Sequence, residues 1–343
     1  MRLSGRLGYG DGFAQSVDRV VRLEQAGLDV VWVAEAYGYD AATRLGYLAA
    51  RTRRLQLGSG IFPIYSRTPA LIAQTIAGLD ELCDGRAILG LGASGPQVIE
   101  GWHGVAYDRP VQRTREIIEI CRMVWRRKEL TYTGRVFTLP LPAEQGTGLG
   151  KPLKILTHPV RDRIPIYLAS LGDRSVDLTA ELAEGWLPIF FVPEKADSIW
   201  GPALRRGLAK RSPELGPLEV VAGGPLAIGQ GLEHLREAER PHLALYVGGM
   251  GARSKNFYNE LIGRYGFERE AAQIQDLYLT GKKREAEALV PASLLESLSL
   301  IGPEGYVKDR IAAFKAAGVT LLDVQPIGPD PIGDVARVKE WVS

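Results

Sequence analysis

Residues 54–91, RLQLGSGIFPIYSRTPALIAQTIAGLDELCDGRAILGL, contain a strand pattern, a helix pattern and a second strand pattern with almost nothing between them. Arg54 to Ile61 reads as a strand. Thr68-Pro69 supplies an N-cap and a first-turn proline for a helix running to Cys83. Asp84-Gly85 ends that helix, and Arg86 to Leu91 is the next strand. A strand, a covering helix and a parallel strand make one βαβ unit, and the same rhythm extends in both directions. Upstream lie a strand at Leu3 to Tyr9, a helix striped by Val17, Val20, Val21 and Leu23 and stopped at Gly27, and the apolar strand Asp29 to Ala34. A helix at Ala41 to Arg51 follows, and another at Arg113 to Arg126 carries Ile117, Ile120, Cys121 and Val124 at helical spacing.

The rhythm breaks between Lys128 and Ile164, where LTYTGRVFTLP suggests a hairpin around Gly134 before a Gly- and Pro-rich stretch. It resumes with strands at Pro165 to Ala169, Gly185 to Phe191 and Pro217 to Ile228, and helices at Ser175 to Ala183 and Lys195 to Lys210. A second irregular stretch, Gly248 to Gly266, precedes mostly helical sequence to Leu300. Thr320 to Pro326 is the last strand and Ile332 to Trp341 the terminal helix. Eight strands with intervening helices predict a single α/β domain over residues 1–343, a (β/α)8 TIM barrel. Its two insertions, at about 128–164 and 248–300, follow the helix after strand four and strand seven. A doubly wound open sheet is the alternative.

Composition narrows the function. The formal charge is +2, so the chain has no sequence-wide attraction to nucleic acid or to an acidic membrane surface. No apolar run approaches the roughly 18 residues of a membrane span, and the first residues do not read as a signal peptide. The cysteines, Cys83 and Cys121, sit in apolar helical contexts; two thiols build neither a disulfide framework nor a four-ligand zinc site, which fits a reducing cytoplasm. The histidines and cysteines are too scattered for a metal site, and no Gly-x-Ser-x-Gly elbow is present.

In such barrels chemistry sits at the C-terminal strand ends. After strand two stands Glu35-Ala36-Tyr37-Gly38-Tyr39-Asp40, where Glu35 or Tyr37 could move a proton. The alternative there is helix capping by Asp40 with Glu35 paired to an arginine. After strand three comes Gly58-Ser59-Gly60-Ile61, where glycines permit a kink under a flat ligand. Strand four ends in Gly92-Ala93-Ser94-Gly95, small residues that admit close approach of a ligand, and His103 lies just beyond as a possible proton donor or surface histidine. Ser170-Leu171-Gly172-Asp173 opens a helix whose free N–H groups suit a phosphate, although capping by Ser170 or Asp173 would need no ligand. Arg253 and Lys255, in a glycine-rich stretch, suit an anion contact or a solvated loop.

Taken together, VVWVAEAYGYDA, the ordered block from Arg54 to Val98, AELAEGWLP and AAGVTLLDV resemble the luciferase-like flavin and deazaflavin oxidoreductases, and most of all their coenzyme F420-dependent actinobacterial branch. The resemblance spans essentially the whole chain. It implies a barrel that holds the deazaflavin ring across the strand ends, with Glu35 and Ala36 among the residues around it. It also implies a non-prolyl cis peptide at Gly60-Ile61 beneath the ring, Ala93, Ser94 and Gly95 beside the cofactor, and Ser170, Leu171 and Gly172 at its phosphate. Arg253 and Lys255 would suit the carboxylates of its lactyl-glutamate tail. Many relatives have an Asp-His pair where this chain has Glu35-Ala36, and some carry an acid where it has Gly95. The expected proton donor is therefore Glu35, His103 or Tyr37. The expected activity is hydride transfer between the deazaflavin C5 and a small organic substrate. Rival readings are an FMN-dependent monooxygenase on the same barrel, a non-catalytic F420-binding protein, and an isomerase or aldolase, the last lacking a Schiff-base lysine at a strand end. By analogy with the family, a homo-oligomer built through helices two and three is expected.

Overall fold

The computed structural model describes residues 1–8 and 12–343; Tyr9, the last residue of the first expected strand, lies outside them. Eight parallel strands run in chain order: β1 (Arg2–Leu7), β2 (Val30–Val33), β3 (Gln56–Ser59), β4 (Ala87–Gly92), β5 (Ile166–Ala169), β6 (Gly185–Trp186), β7 (Glu219–Ile228) and β8 (Leu321–Pro326). Each pairs with the next and β8 pairs with β1, so the sheet closes into a TIM barrel and the open-sheet alternative fails. Helices α1 (Phe13–Gln25), α2 (Ala41–Arg51), α3 (Pro69–Leu82), α4 (Pro110–Trp125), α5 (Asp173–Leu182), α6 (Ala196–Leu208), α7 (Glu304–Ala316) and α8 (Pro331–Val342) cover the outside. Local signals set their ends: Asp40 accepts the Thr43 N–H to cap α2, and Thr68 accepts the Leu71 N–H to cap α3, which has Pro69 in its first turn.

Strand residues alternate between the helix layer and the lumen, where Val30, Trp32, Ile88, Tyr167, Val221 and Leu321 form an inner cluster. Gly58 exists for that cluster: a Cβ there would lie 2.3 Å from the Trp32 ring. Below it, Arg2 bonds both Gln56 (2.5 Å) and Glu219 (2.7 and 2.6 Å), and the Tyr167 hydroxyl donates to Glu219, so the polar residues at the lower end of the lumen satisfy one another.

Three boundaries differ from expectation. The sixth strand has two residues, not seven, because Pro188 has no N–H for a ladder and Phe190 turns into the left-handed region at φ 53°. Leu300–Gly302, which begins where the expected helical sequence ends and for which no strand was expected, is a short strand on the upper half of β7. Of the expected irregular stretch 248–266, Phe257–Ile262 is helical, and the helical segment between β7 and β8 starts earlier, at Glu233. The first insertion holds the predicted hairpin, Tyr132–Thr133 against Thr138–Leu139. Glu116 of α4 anchors it by accepting the backbone N–H groups of Arg135, Val136 and Phe137. Among the described residues, no helix is long and apolar enough to cross a membrane.

Candidate active site

The upper barrel ends bring most of the expected residues to one mouth. A non-prolyl cis peptide lies between Gly60 and Ile61, at the position the resemblance implied. Ile61 reaches across to β4, where a Cβ on Gly92 would come within 2.2 Å of its side chain, so this glycine makes room for a protein neighbour rather than for a ligand. Ala93, Ser94 and Gly95 follow, half-buried, with Ser94 left-handed at φ 58° and its carbonyl accepting the Tyr107 hydroxyl at 3.4 Å. Lys255 reaches this wall, its Nζ 5.4 Å from the Tyr107 ring centre, whereas Arg253 is turned to an exposed ion pair with Asp276. Arg253 thus meets a carboxylate of its own fold.

Glu35 is similarly engaged. Arg67 grips it in a fork (2.5 and 2.9 Å), the Ala41 N–H donates to it at 2.8 Å, and Arg67 lies 4.2 Å from the Phe62 ring centre. The second Nη of Arg67 also reaches Asp40 at 2.5 Å. This is the arginine-paired, Asp40-capped alternative, and it ties β2, the strand Phe62–Pro63 and α2 together. Ala36 is half-buried at the same strand end and Tyr37 is exposed, 58 % of its surface open. His103 lies behind the short helix Pro96–Gly101 with its Nε2 buried and unpartnered among the described residues.

At β5, Ser170 is buried and bonds Thr179 Oγ1 at 2.8 Å, while the carbonyls of Ser170 and Leu171 accept the Trp186 and Trp200 indole N–H groups (2.9 and 3.0 Å). Neither Ser170 nor Asp173 caps α5: Gly172 is the N-cap and no side chain satisfies the first-turn N–H groups. Arg174, in that first turn, joins Arg109 and Arg135 around a cleft of about 850 Å³ open to solvent, which Pro110, Val111 and Gln112 complete. All three arginines are exposed and, among the described residues, none is ion-paired; one Arg109 Nη donates to the Arg135 carbonyl at 2.9 Å.

Across the mouth, a second cavity, partly open to solvent, reaches from the lumen to the helices between β7 and β8. Its floor is Asp323, 1 % exposed, which accepts from Ser4 Oγ at 3.0 Å and forms an ion pair with Arg6, Nε to oxygen 2.6 Å. Phe190, His242, Gln325, Glu239 and Arg236 line its walls. Burial, reinforced by the nearby Arg6 charge, holds the His242 imidazole below its ordinary pKa.

Sequence reasoning missed Arg6, Asp323, His242 and the three-arginine cleft. Arg2, Ser4 and Arg6 alternate with Leu3, Gly5 and Leu7 in β1, and Asp323 interrupts an apolar strand, so a lumen-facing polar row was detectable in the pattern. Nothing in the sequence joins Arg109, Arg135 and Arg174.

Residues 1–321 match the family model described as luciferase-like monooxygenase. The chain belongs to that family. This luciferase-like protein is 39 % identical to a Mycobacterium tuberculosis protein provisionally named as a coenzyme F420-dependent oxidoreductase, over 98 % of this chain and 99 % of that one. It is 28 % identical to the 5,10-methylenetetrahydromethanopterin reductase of Archaeoglobus fulgidus, over 90 % of this chain and 88 % of the other. Among solved structures, the F420-dependent tetrahydromethanopterin reductase of Methanopyrus kandleri shares its fold with a TM-score of 0.79 at 24 % identity, covering 99 % and 97 % of the two chains. An F420-dependent secondary alcohol dehydrogenase superposes with a TM-score of 0.77 at 18 % identity, covering both chains fully.

Proposed function

We propose that this luciferase-like protein is a coenzyme F420-dependent oxidoreductase that carries out hydride transfer with a small organic substrate. The observation that carries the choice of cofactor is the cleft of Arg109, Arg135 and Arg174 beside the uncapped start of α5. FMN ends in one phosphate, which the α5 N–H groups alone would satisfy. F420 continues past its phosphate into carboxylates, and three guanidinium groups with no ion pair among the described residues are the donor set for such a tail.

The donor set therefore fits F420. The turn Ser170-Leu171-Gly172 with Arg174 would hold the phosphate, and Arg109 and Arg135 the tail. Gly60-Ile61, Ala36 and the Ala93-Ser94-Gly95 wall would seat the ring. When bound, the deazaflavin donates or accepts a hydride at C5. The chain aligns the reacting faces: Trp32 fills the lumen below, Ile61 and Tyr107 shape one side, and the Phe190–His242 wall restricts water on the other. Glu35 acts here through position, by fixing the β2 end with Arg67, and not as a proton donor.

Anaerobic fluorescence titration of the apoprotein with F420 and with FMN tests this reading. Micromolar or tighter binding of F420, at least tenfold preferred over FMN, is expected, with Arg174→Gln weakening F420 about tenfold and FMN less. A preference for FMN overturns it.

A further inference from the structure

The cavity opposite the cofactor wall is the place where the protein can move a proton. His242 stands on the helix Arg240–Ala244, held between Tyr246 (ring centres 4.8 Å apart) and Phe190 (6.2 Å, edge-on). Phe190 in turn packs edge-on to Tyr246 at 5.2 Å, and Tyr246 to Tyr258 at 4.8 Å, so the imidazole is clamped in an aromatic wall. The clamp leaves its ring open to the cavity. Arg6 shares that cavity: its Nε pairs with the buried Asp323, and among the described residues no hydrogen bond engages its Nη groups.

We infer that His242 is the acid–base residue of this enzyme, exchanging a proton with an oxygen of a carbinol or carbonyl substrate that Arg6 binds in the cavity. The inference rests on the F420 reading for its hydride partner. In the oxidative direction the carbinol C–H leaves with both electrons to the bound deazaflavin. The O–H proton passes to an imidazole nitrogen, the C=O bond forms, and His242 returns the proton to solvent. Arg6 lowers the cost of negative charge on the oxygen as the proton leaves. A neutral imidazole is the proton-accepting form, and two influences keep it neutral near pH 7: burial first, then the Arg6 cation.

The other charged and titratable groups around it do not reverse this. Asp323 from β8 is committed to Arg6 and Ser4, and Arg236 to Glu296 and the Ile301 carbonyl. Burial pushes the neighbouring Glu239 carboxyl upward, which weakens its pull on the imidazole, and burial also raises the Tyr246 and Tyr258 phenols, which stay neutral. Oxidation should therefore need little pH above neutrality and fall on the acid side, as the imidazole becomes protonated.

The test uses full-length protein labelled at histidine Cε1, with His242→Gln to assign the signal. In the wild type without cofactor, His242 is expected to titrate below about 6.5 and to shift saturably with cyclohexanone as probe. The double variant Arg6→Gln/Asp323→Asn removes both members of the ion pair without leaving a buried charge alone, and should move the midpoint upward. With F420 bound, oxidation of cyclohexanol, 2-propanol or benzyl alcohol is expected, falling at least 100-fold in His242→Gln and losing its acid limb while F420 affinity stays within twofold. His242→Asn, which keeps a polar group at this site, guards against a folding defect. An unmoved His242 midpoint in the double variant, equal turnover in His242→Gln, or no oxidation of any of the three alcohols by F420-loaded enzyme overturns the inference. Failure of the wild type to bind F420 overturns the underlying reading instead.

Discussion

Glu35→Gln separates a structural from a catalytic role at the position where sequence reasoning expected a proton donor. The Glu35 and Arg67 side chains are 8 % and 13 % exposed, and both oxygens of Glu35 are bonded. Removing one member of a buried pair typically costs about 3–5 kcal/mol, because the remaining charge is left without its partner. Two features reduce that here. Asp40 still reaches Arg67 at 2.5 Å from a half-exposed position, and the Gln amide oxygen can keep one bond. The expected loss is therefore about 2–3 kcal/mol. At the size of this chain that lowers the melting temperature by roughly 3–4 °C. Urea denaturation followed by tryptophan fluorescence measures it, and F420 titration of the folded variant should give nearly wild-type affinity. Glu35→Gln/Arg67→Met should recover much of the loss, since a well-packed apolar pair often matches a buried ion pair. A Glu35→Gln protein as stable as wild type, within about 0.5 kcal/mol, but dead in turnover, would refute the structural assignment and return Glu35 to the chemistry.

Gly58→Ala should cost about 1–3 kcal/mol and perturb Trp32 emission, because the new methyl would lie 2.3 Å from that ring; an unchanged spectrum and stability would contradict the packing. Burial raises the Glu116 carboxyl, but Gln112 and the backbone N–H groups of residues 135–137 together outweigh it and leave the pKa lowered. Its stabilising contribution should accordingly be full above about pH 4.3 and disappear as pH falls through the lower folded value. Hydrogen exchange at Val136 and Phe137 should accelerate over that window, and Glu116→Gln should remove the pH dependence. Exposed Tyr47 on α2 and Leu71 and Leu82 on α3 lie on the helices expected to form a homo-oligomer, so Leu82→Glu should lower the mass found by sedimentation if they meet a second copy.

The barrel was legible because βαβ units are local. Period-3.6 stripes, the Thr68-Pro69 cap and the Asp84-Gly85 stop each act within one or two turns, and all eight expected strands are present. The wall proposed for the cofactor comes from the resemblance, since Gly60-Ile61, Ala93-Ser94-Gly95 and Ser170-Leu171-Gly172 are contiguous motifs. The proton-handling side was not. Glu35 and His103 stand at plausible sequence positions, yet the first is consumed by an arginine 32 residues away and the second faces no open cavity among those described.

Strand–helix order, family and type of cofactor were readable from the chain alone, because these depend on neighbours along the chain and on short motifs. The tertiary structure alone decided which charges are free. It paired Glu35 with Arg67 and Arg253 with Asp276, gathered Arg109, Arg135 and Arg174 in one cleft with no ion pair among the described residues, and set His242 and Arg6, far apart in sequence, around one cavity. Whether a charged side chain is a fold element or a functional group depends on the partner that reaches it, and that partner is fixed by barrel closure rather than by sequence distance.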